Sequence, residues 1–252
     1  MTTRVRYDTI GRGYARGRHP DDRLRHAIHD ALGESVTVLN VGAGTGNYEP
    51  TGHPTIALEP SAVMIAQRPP GSAQAVRGAA EALPFADRSF DAAMALSTLH
   101  HWSDLAAGLA EMSRVAARRV VYFSEPSLPG MHWLVDDYFP SILSMSINNA
   151  APSTERVVEL LGGKCKIHVF EVPRDFAEAS AGAFWARPEA YCDPAIQAAM
   201  SMFALLEPSV VESGTARLRA DLASGAWDRR HGHLRHQDRL DLGYRIVVST
   251  AR

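Results

Sequence analysis

The sequence predicts an α/β fold with a doubly wound, mostly parallel sheet of seven strands. Short apolar runs alternate with stretches of helical spacing, which is the pattern of strands joined by crossover helices. The first apolar run leads into a glycine-rich turn, and such a turn lies at the carboxyl edge of a parallel sheet. The runs predicted as strands are 36–41, 55–58, 75–77, 91–96, 120–123, 166–172 and 240–250.

Helices are predicted where a capping residue precedes apolar residues at helical spacing. These stretches are 21–32, 62–67, 105–116 and 154–161. We expect one domain over 1–252, with its core at about 34–125, 153–173 and 239–252. Insertions of about 126–150 and 175–238 follow the fifth and sixth strands. Because a long structureless loop is uncommon in a compact domain, helices are expected in the second insertion, at 195–206 and 216–224.

The composition narrows the class of protein. The 252 residues are 46% apolar and 21% charged, which is typical of a soluble globular chain. A formal net charge of −2 argues against a nucleic-acid partner. The apolar runs are too short to span a membrane, and no leader segment precedes the first helix. Two isolated cysteines fit a reducing compartment, so we expect a cytoplasmic monomer or homodimer that holds no metal.

The glycine turn predicts a nucleoside site. Gly42, Gly44 and Gly46 follow the first strand at alternate positions, and glycine lets the backbone approach a ligand closely. Glu59 stands 17 positions after Gly42, at the end of the second strand. A carboxylate there can accept hydrogen bonds from both ribose hydroxyls. An NAD(P)-dependent oxidoreductase is the alternative, although Asn47 stands where the dinucleotide pattern requires its third glycine.

The turn resembles motif I of the class I S-adenosylmethionine-dependent methyltransferases. Residues 78–85 and 89–91 resemble the Gly-Asp-Ala-Glu-x-Leu-Pro-Phe…Ser-Phe-Asp block of their type 11 family, with Ala79 in place of the aspartate. The resemblance implies a Rossmann-like sheet and the cofactor S-adenosylmethionine, converted to S-adenosylhomocysteine. It implies cofactor contacts by Gly42, Ala43, Gly44, Thr45, Gly46, Glu59, Pro60, Met64, Ala80, Glu81, Leu96 and Ser97, and by Tyr14 and Arg18, with Arg16 as the substitute for Arg18.

Candidate catalytic residues are histidines, because imidazole accepts a proton near neutral pH. In the resembling family the segment after the fourth strand lines the site, which makes His100 and His101 candidates for a base beside the acceptor. His132 in the first insertion is a further candidate. Each of these histidines could instead orient a loop.

Aromatic residues of the insertions predict a helical lid with an apolar acceptor pocket. The pocket candidates are Trp102, Trp133, Tyr138, Phe139 and Trp185, and the alternative is that the insertion residues form the core of the lid itself. The expected function is methyl transfer to the oxygen, nitrogen or carbon of an aromatic or apolar small molecule. A third hypothesis is a binding module that holds the cofactor without catalysis.

Overall fold

The computed structural model describes residues 20–127 and 130–251, so the predictions for Tyr14, Arg16 and Arg18 lie outside the described residues. The strands are β1 (Val38–Val41), β2 (Thr55–Glu59), β3 (Gln74–Arg77), β4 (Phe90–Leu96), β5 (Ala116–Ser124), β6 (Lys164–Val169), β7 (Val172–Pro173), β8 (Arg239–Leu240) and β9 (Tyr244–Thr250). The α-helices are α1 (Asp22–Leu32), α2 (Ala62–Ile65), α3 (Leu105–Val115), α4 (Ser146–Asn149), α5 (Thr154–Leu161), α6 (Pro194–Ala199), α7 (Ser201–Ala204), α8 (Pro208–Ala223) and α9 (Ala226–His231).

Seven of the strands form one sheet in the order β3-β2-β1-β4-β5-β9-β6. Strands β1 to β5 pair in parallel, and β9 is antiparallel to both of its neighbours. The chain winds outward from β1 in one direction and from β4 in the other, so the order reverses between these two strands. Such a reversal opens a crevice at the carboxyl ends of the strands. The predicted fold class is confirmed.

The two faces of the sheet carry separate hydrophobic clusters, because side chains alternate along a strand. In β5, Val120 and Tyr122 join the cluster that contains α1, whereas Val121 and Phe123 join the cluster that contains α3 and α5. The helical connections therefore cover both faces, which is what a parallel sheet with apolar strands requires.

The inserted segments 126–150 and 175–238 contain α4 and α6 to α9, with short 3₁₀ and π turns between them. Their aromatic side chains pack into the cluster that also contains α1. The indole of Trp133 donates a hydrogen bond to the Trp185 carbonyl at 2.8 Å, and the indole of Trp185 donates to the Val172 carbonyl at 3.0 Å. The insertions thus share one packed core with a face of the sheet.

The last strand differs from its prediction over 240–250. Gly243 takes a φ of +79°, and its N–H donates to the Asp241 carboxylate at 2.9 Å. This turn separates β9 from β8, which instead pairs with β7 in a small second sheet. A glycine at positive φ ends a regular strand, because the extended conformation requires negative φ.

Two predicted helices of the second insertion also have different bounds. The helix expected over 195–206 is interrupted at Met200, whose backbone is extended while its side chain is buried. The helix expected from 216 begins earlier, at Pro208. The weak helix former Gly214 lies inside it because a Cβ at that position would come within 2.3 Å of the Phe139 ring. Tertiary packing thus outweighs local helix propensity at both places.

Within the described ranges, no helix combines the length and the apolar character that crossing a bilayer demands.

Candidate functional site

A cavity of about 620 Å³ lies at the carboxyl ends of β1, β2, β4 and β5. Its position coincides with the reversal of strand order, where ligands bind in open α/β sheets. Small-molecule sites commonly measure about 300–1,000 Å³, so the cavity can hold a nucleoside cofactor. Its described lining residues are Asn40, Gly42–Thr45, Asn47, Tyr48, Leu58–Pro60, Met64, Ala79–Glu81, Leu96–Thr98, His100–Ser103, Tyr122 and Glu178.

The glycine turn forms the floor of this cavity. Gly42 has a φ of +70° and Gly44 a φ of +53°, values that side chains rarely allow. The N–H groups of Gly42 and Ala43 both donate to the Leu58 carbonyl, at 2.8 and 3.0 Å. A Cβ at position 42 would lie 2.2 Å from the Thr98 hydroxyl oxygen. Glycine is therefore required at position 42 both by the backbone conformation and by the contact with Thr98.

The Glu59 carboxylate fixes the turn from the side of β2. One of its oxygens accepts from the Gly44 N–H at 2.8 Å, and the other accepts from the Ser61 N–H at 2.9 Å. The residue is 6% exposed and lines the cavity. Because a carboxylate offers about four acceptor sites, Glu59 can accept hydrogen bonds from a ligand while it holds both loops.

A buried ion pair supports the turn from below. Both carboxylate oxygens of Glu49 accept from one guanidinium nitrogen of Arg68 at 2.7 Å, and Arg68 also donates to the Gly44 carbonyl at 3.3 Å. Asn40 donates to the same Glu49 carboxylate at 3.1 Å. Gly46, which was predicted to contact the cofactor, is absent from the cavity lining. Its Cα faces this ion pair, and a Cβ there would lie 3.2 Å from both partners.

The end of β4 forms the opposite wall. Leu96 and Ser97 line the cavity as predicted from sequence, and the Ser97 N–H donates to the Tyr122 carbonyl at 2.7 Å. Ser97 and Tyr48 are non-glycine residues at positive φ, +52° and +63°. Such strain persists only where surrounding contacts impose it, and it concentrates at ligand sites.

The loop 79–81 closes the β3 side. Ala79, Ala80 and Glu81 line the cavity. One Glu81 oxygen accepts from the Ser103 N–H and hydroxyl at 2.7 and 2.8 Å and from the Asp104 N–H at 3.2 Å. Burial favours the protonated carboxyl, but these hydrogen bonds outweigh it and lower the Glu81 pKa. Glu81 therefore stays ionised and fastens the loop to the start of α3.

The segment after β4 places His100, His101 and Trp102 along the cavity. The two imidazole rings lie 3.9 Å apart between centroids. Trp102 packs over the start of α3, where a Cβ on Gly108 would lie 2.4 Å from its indole ring. The sequence-predicted pair therefore sits where it could contact a second ligand beside the cofactor.

His132 lies apart from this group. It lines a smaller cavity of about 70 Å³ that is bounded by Met131, Val135 and Tyr244 among others. Its Nδ1 accepts from the Leu134 N–H at 3.0 Å, so a neutral ring carries its proton on Nε2. Burial lowers the His132 pKa to about 4. A neutral, enclosed imidazole outside the main cavity is poorly placed to act on a ligand there.

Four predicted pocket residues do not line the cavity, and their placement corrects that expectation. Trp133, Tyr138, Phe139 and Trp185 are at most 6% exposed and belong to the cluster around α1. The physical reason is that large aromatic side chains gain most by complete burial, and the sheet face offers that burial. Trp102 alone of the five predicted pocket aromatics lines the cavity.

The structure adds lining residues that sequence reasoning missed. Tyr122 could have been inferred, because it follows Val120 at the carboxyl end of the central strand β5. Thr98 directly follows the predicted Leu96 and Ser97. Glu178 carries no local signal, because it comes from the second insertion and meets Tyr48, 130 positions away in sequence.

The charges around the cavity constrain its ligand. Glu59, Glu81 and Glu178 are among the described lining residues, and lysine and arginine are absent from that set. A dinucleotide would bring a doubly charged pyrophosphate to these carboxylates, whereas a sulfonium cofactor brings positive charge. The described residues also contain no group of three or more His, Cys, Asp or Glu side chains arranged to hold a metal.

Comparison with known proteins shows the family. The pattern of a family described as a methyltransferase domain matches residues 39–123. A structure from Anabaena variabilis, assigned as a methyltransferase of an antibiotic biosynthesis pathway, is 32% identical and superposes with a TM-score of 0.85. The match covers 93% of this chain and 99% of that one. The chain belongs to the class I S-adenosylmethionine-dependent methyltransferases of type 11.

Two curated relatives of this family are demethylmenaquinone methyltransferases. The one from Renibacterium salmoninarum is 31% identical, and the one from Corynebacterium glutamicum is 29% identical. Each alignment covers 55% of this chain and 63% of the relative. The methyltransferase family uses S-adenosylmethionine as its cofactor, and the charges of the cavity fit a cationic cofactor rather than a nicotinamide dinucleotide.

The Gly42 contact yields a test of the methyltransferase site. We expect Gly42→Ala to weaken S-adenosylhomocysteine binding at least tenfold, because the new methyl group must displace either the turn or Thr98. Gly52→Ala is the matched control, since Gly52 also has a positive φ, +82°, but has open space around it. Isothermal titration calorimetry measures both. Equal affinity of Gly42→Ala and wild type would show that the Thr98 contact does not shape the site.

The burial of His132 predicts a pH dependence of stability. Its folded pKa of about 4 lies below the ordinary value near 6.5, so the unfolded state binds the extra proton as pH falls. Stability is therefore lost between about pH 6.5 and 4, and the contribution levels off below that window.

The matched variant is His132→Asn, whose side-chain oxygen can still accept from the Leu134 N–H. From pH 7 to 4.5 we expect wild type to lose about 2–3 kcal/mol more unfolding free energy than the variant. Urea denaturation at each pH measures this difference. Parallel pH curves for the two proteins would mean that His132 titrates normally in the folded state.

Proposed function

We propose that this chain transfers the methyl group of S-adenosylmethionine to a small-molecule acceptor. The observation that carries the proposal is one cavity that combines a glycine turn at the switch point, the Glu59 carboxylate and walls free of lysine and arginine among the described lining residues. Family membership supports it. The whole protein's substrate is inferred rather than transferred from the relatives, since the alignments span only part of their length.

The residues present fit the cofactor. Glu59 would accept from the ribose hydroxyls, and the Gly42–Gly44 backbone would lie against the sugar and the sulfur-bearing chain. Ala80 and Glu81 would flank the adenine, with Met64 and Pro60 on the other side of the ribose. Bound S-adenosylmethionine supplies an activated methyl group on a positively charged sulfur.

The protein then has two tasks, which are to position the acceptor atom and to exclude water. Leu96, Trp102 and Tyr122 give the wall of the cavity an apolar and aromatic character beside the polar turn. This lining favours an aromatic or apolar acceptor, and the names of the two curated relatives point to a quinone-type ring. An oxygen or carbon nucleophile also needs a base, and His100 and His101 are the imidazoles that line the cavity.

Binding of the cofactor is tested by titrating purified protein with S-adenosylhomocysteine. We expect binding in the micromolar range, and we expect Glu59→Ala to weaken it about tenfold or more through lost ribose and turn hydrogen bonds. Glu34→Ala is the control, because Glu34 is exposed and far from the cavity in sequence and fold. Circular dichroism confirms that each variant is folded. Failure of the wild type to bind at millimolar ligand would refute the proposal.

The role of the histidine pair requires an acceptor, which a metabolite extract screened by mass spectrometry for added methyl groups can supply. If one imidazole removes a proton, His100→Ala or His101→Ala lowers kcat about 10²- to 10⁴-fold and leaves the affinity for S-adenosylhomocysteine within about twofold. A purely structural role changes affinity and turnover together. Wild-type turnover in both variants would exclude the pair as the base.

A further inference from the structure

The side chain of Glu178 brings the second insertion into the cofactor cavity. Glu178 is 6% exposed, and it is the lining residue that the inserted segments contribute within the described part of the chain. The Tyr48 hydroxyl donates a hydrogen bond to its carboxylate. Tyr48 follows the glycine turn by two residues, so this contact joins the insertion to the turn.

Further hydrogen bonds hold this part of the insertion in place. The Asp21 N–H donates to the Tyr48 hydroxyl oxygen at 3.1 Å, and an Asp21 carboxylate oxygen accepts from the Ala177 N–H at 3.3 Å. Asp21 is also the N-cap of α1 and pairs with Arg23 at 2.7 Å. Burial, together with the negative charge of Glu178, raises the Tyr48 pKa, so its hydroxyl keeps the proton that it donates.

Glu178 and Glu59 belong to opposite sides of the cavity. Leu58, which precedes Glu59, packs in the cluster around α3, as does Ala80. Tyr48 and Tyr122 pack in the cluster around α1 on the other face of the sheet. A ligand whose ribose is held at Glu59 therefore extends its other half toward Tyr48, Tyr122 and Glu178.

That other half of S-adenosylmethionine is an amino acid with a protonated amino group. A buried carboxylate is favourable only when a positive charge or several hydrogen-bond donors compensate it. With about four acceptor sites, Glu178 can accept from Tyr48 and from an ammonium group together. We propose that Glu178 binds the ammonium of the cofactor, so that the insertion forms part of the cofactor site.

This assignment rests on the proposed function, and it makes the insertion sense the amino-acid end of the cofactor. Glu178 is a binding residue, and Tyr48 is a positioning residue that orients its carboxylate. A contact of Glu178 with the methyl acceptor instead would leave cofactor affinity independent of its charge.

The test compares two ligands in calorimetric titrations, S-adenosylhomocysteine and its des-amino analogue, which keeps the carboxylate but lacks the ammonium. Glu178→Gln preserves size and the hydrogen bond from Tyr48 while it removes the charge. We expect this variant to bind S-adenosylhomocysteine about ten- to a hundredfold more weakly and the des-amino analogue within about twofold of wild type. Tyr48→Phe should show the same discrimination with a smaller loss.

Glu171→Gln is the matched control, because Glu171 is exposed, lies shortly before the same segment and should leave both affinities unchanged. Equal weakening of both ligands by Glu178→Gln would overturn the assignment, since it would indicate a general disturbance of the site. Unchanged affinity for both would overturn it as well. Wild-type protein that binds neither ligand would refute the proposed function itself, whereas wild type that binds both equally would refute only the ammonium contact.

Discussion

The Glu59 carboxylate is the contact on which the geometry of the site depends. It accepts N–H groups from Gly44 on one side and Ser61 on the other, and so fixes the turn after β1 relative to the start of α2. This bridge is possible because β1 and β2 pair in parallel with Val41 opposite Leu58, which brings both strand ends to the same edge. The remaining acceptor sites of the carboxylate then face the cavity at a defined height above the glycine backbone.

Residues beneath and beside this bridge keep it rigid. The Arg68–Glu49 pair holds the Gly44 carbonyl from below, and Thr98 lies so close to Gly42 that a side chain has no room there. Breaking one partner of a buried ion pair leaves an uncompensated charge, so this support is costly to disturb. A site that must place a reacting atom within fractions of an ångström benefits from such fixed surroundings.

The sequence was most informative where a local backbone requirement restricts residue choice. Glycines at positive φ, a carboxylate at a strand end and alternating strands and helices leave local patterns, and they predicted the sheet and most of the lining from Gly42 to Ser97. The sequence was least informative where long-range packing decides. Trp133 and Trp185 are aromatic for the sake of a shared core with the sheet face, and composition alone could not separate that use from a pocket wall. Glu178 reaches the cavity only because the insertion folds back on Tyr48.

The same physics explains the division between the two ends of the cavity. The β2 side is built from consecutive segments of the sheet, whereas the Tyr48 side is completed by a segment far away in sequence. A family with one sheet can therefore keep its nucleoside contacts while insertions change the rest of the site, which is how one fold serves many acceptors.

A crystal structure of the protein with S-adenosylhomocysteine tests most directly whether one cavity holds the cofactor between two carboxylates. The predicted result is a ligand whose ribose hydroxyls lie within hydrogen-bond distance of Glu59 and whose amino group lies within that distance of Glu178. A ligand bound outside this cavity, or one with its adenosine half turned toward Glu178, would contradict it.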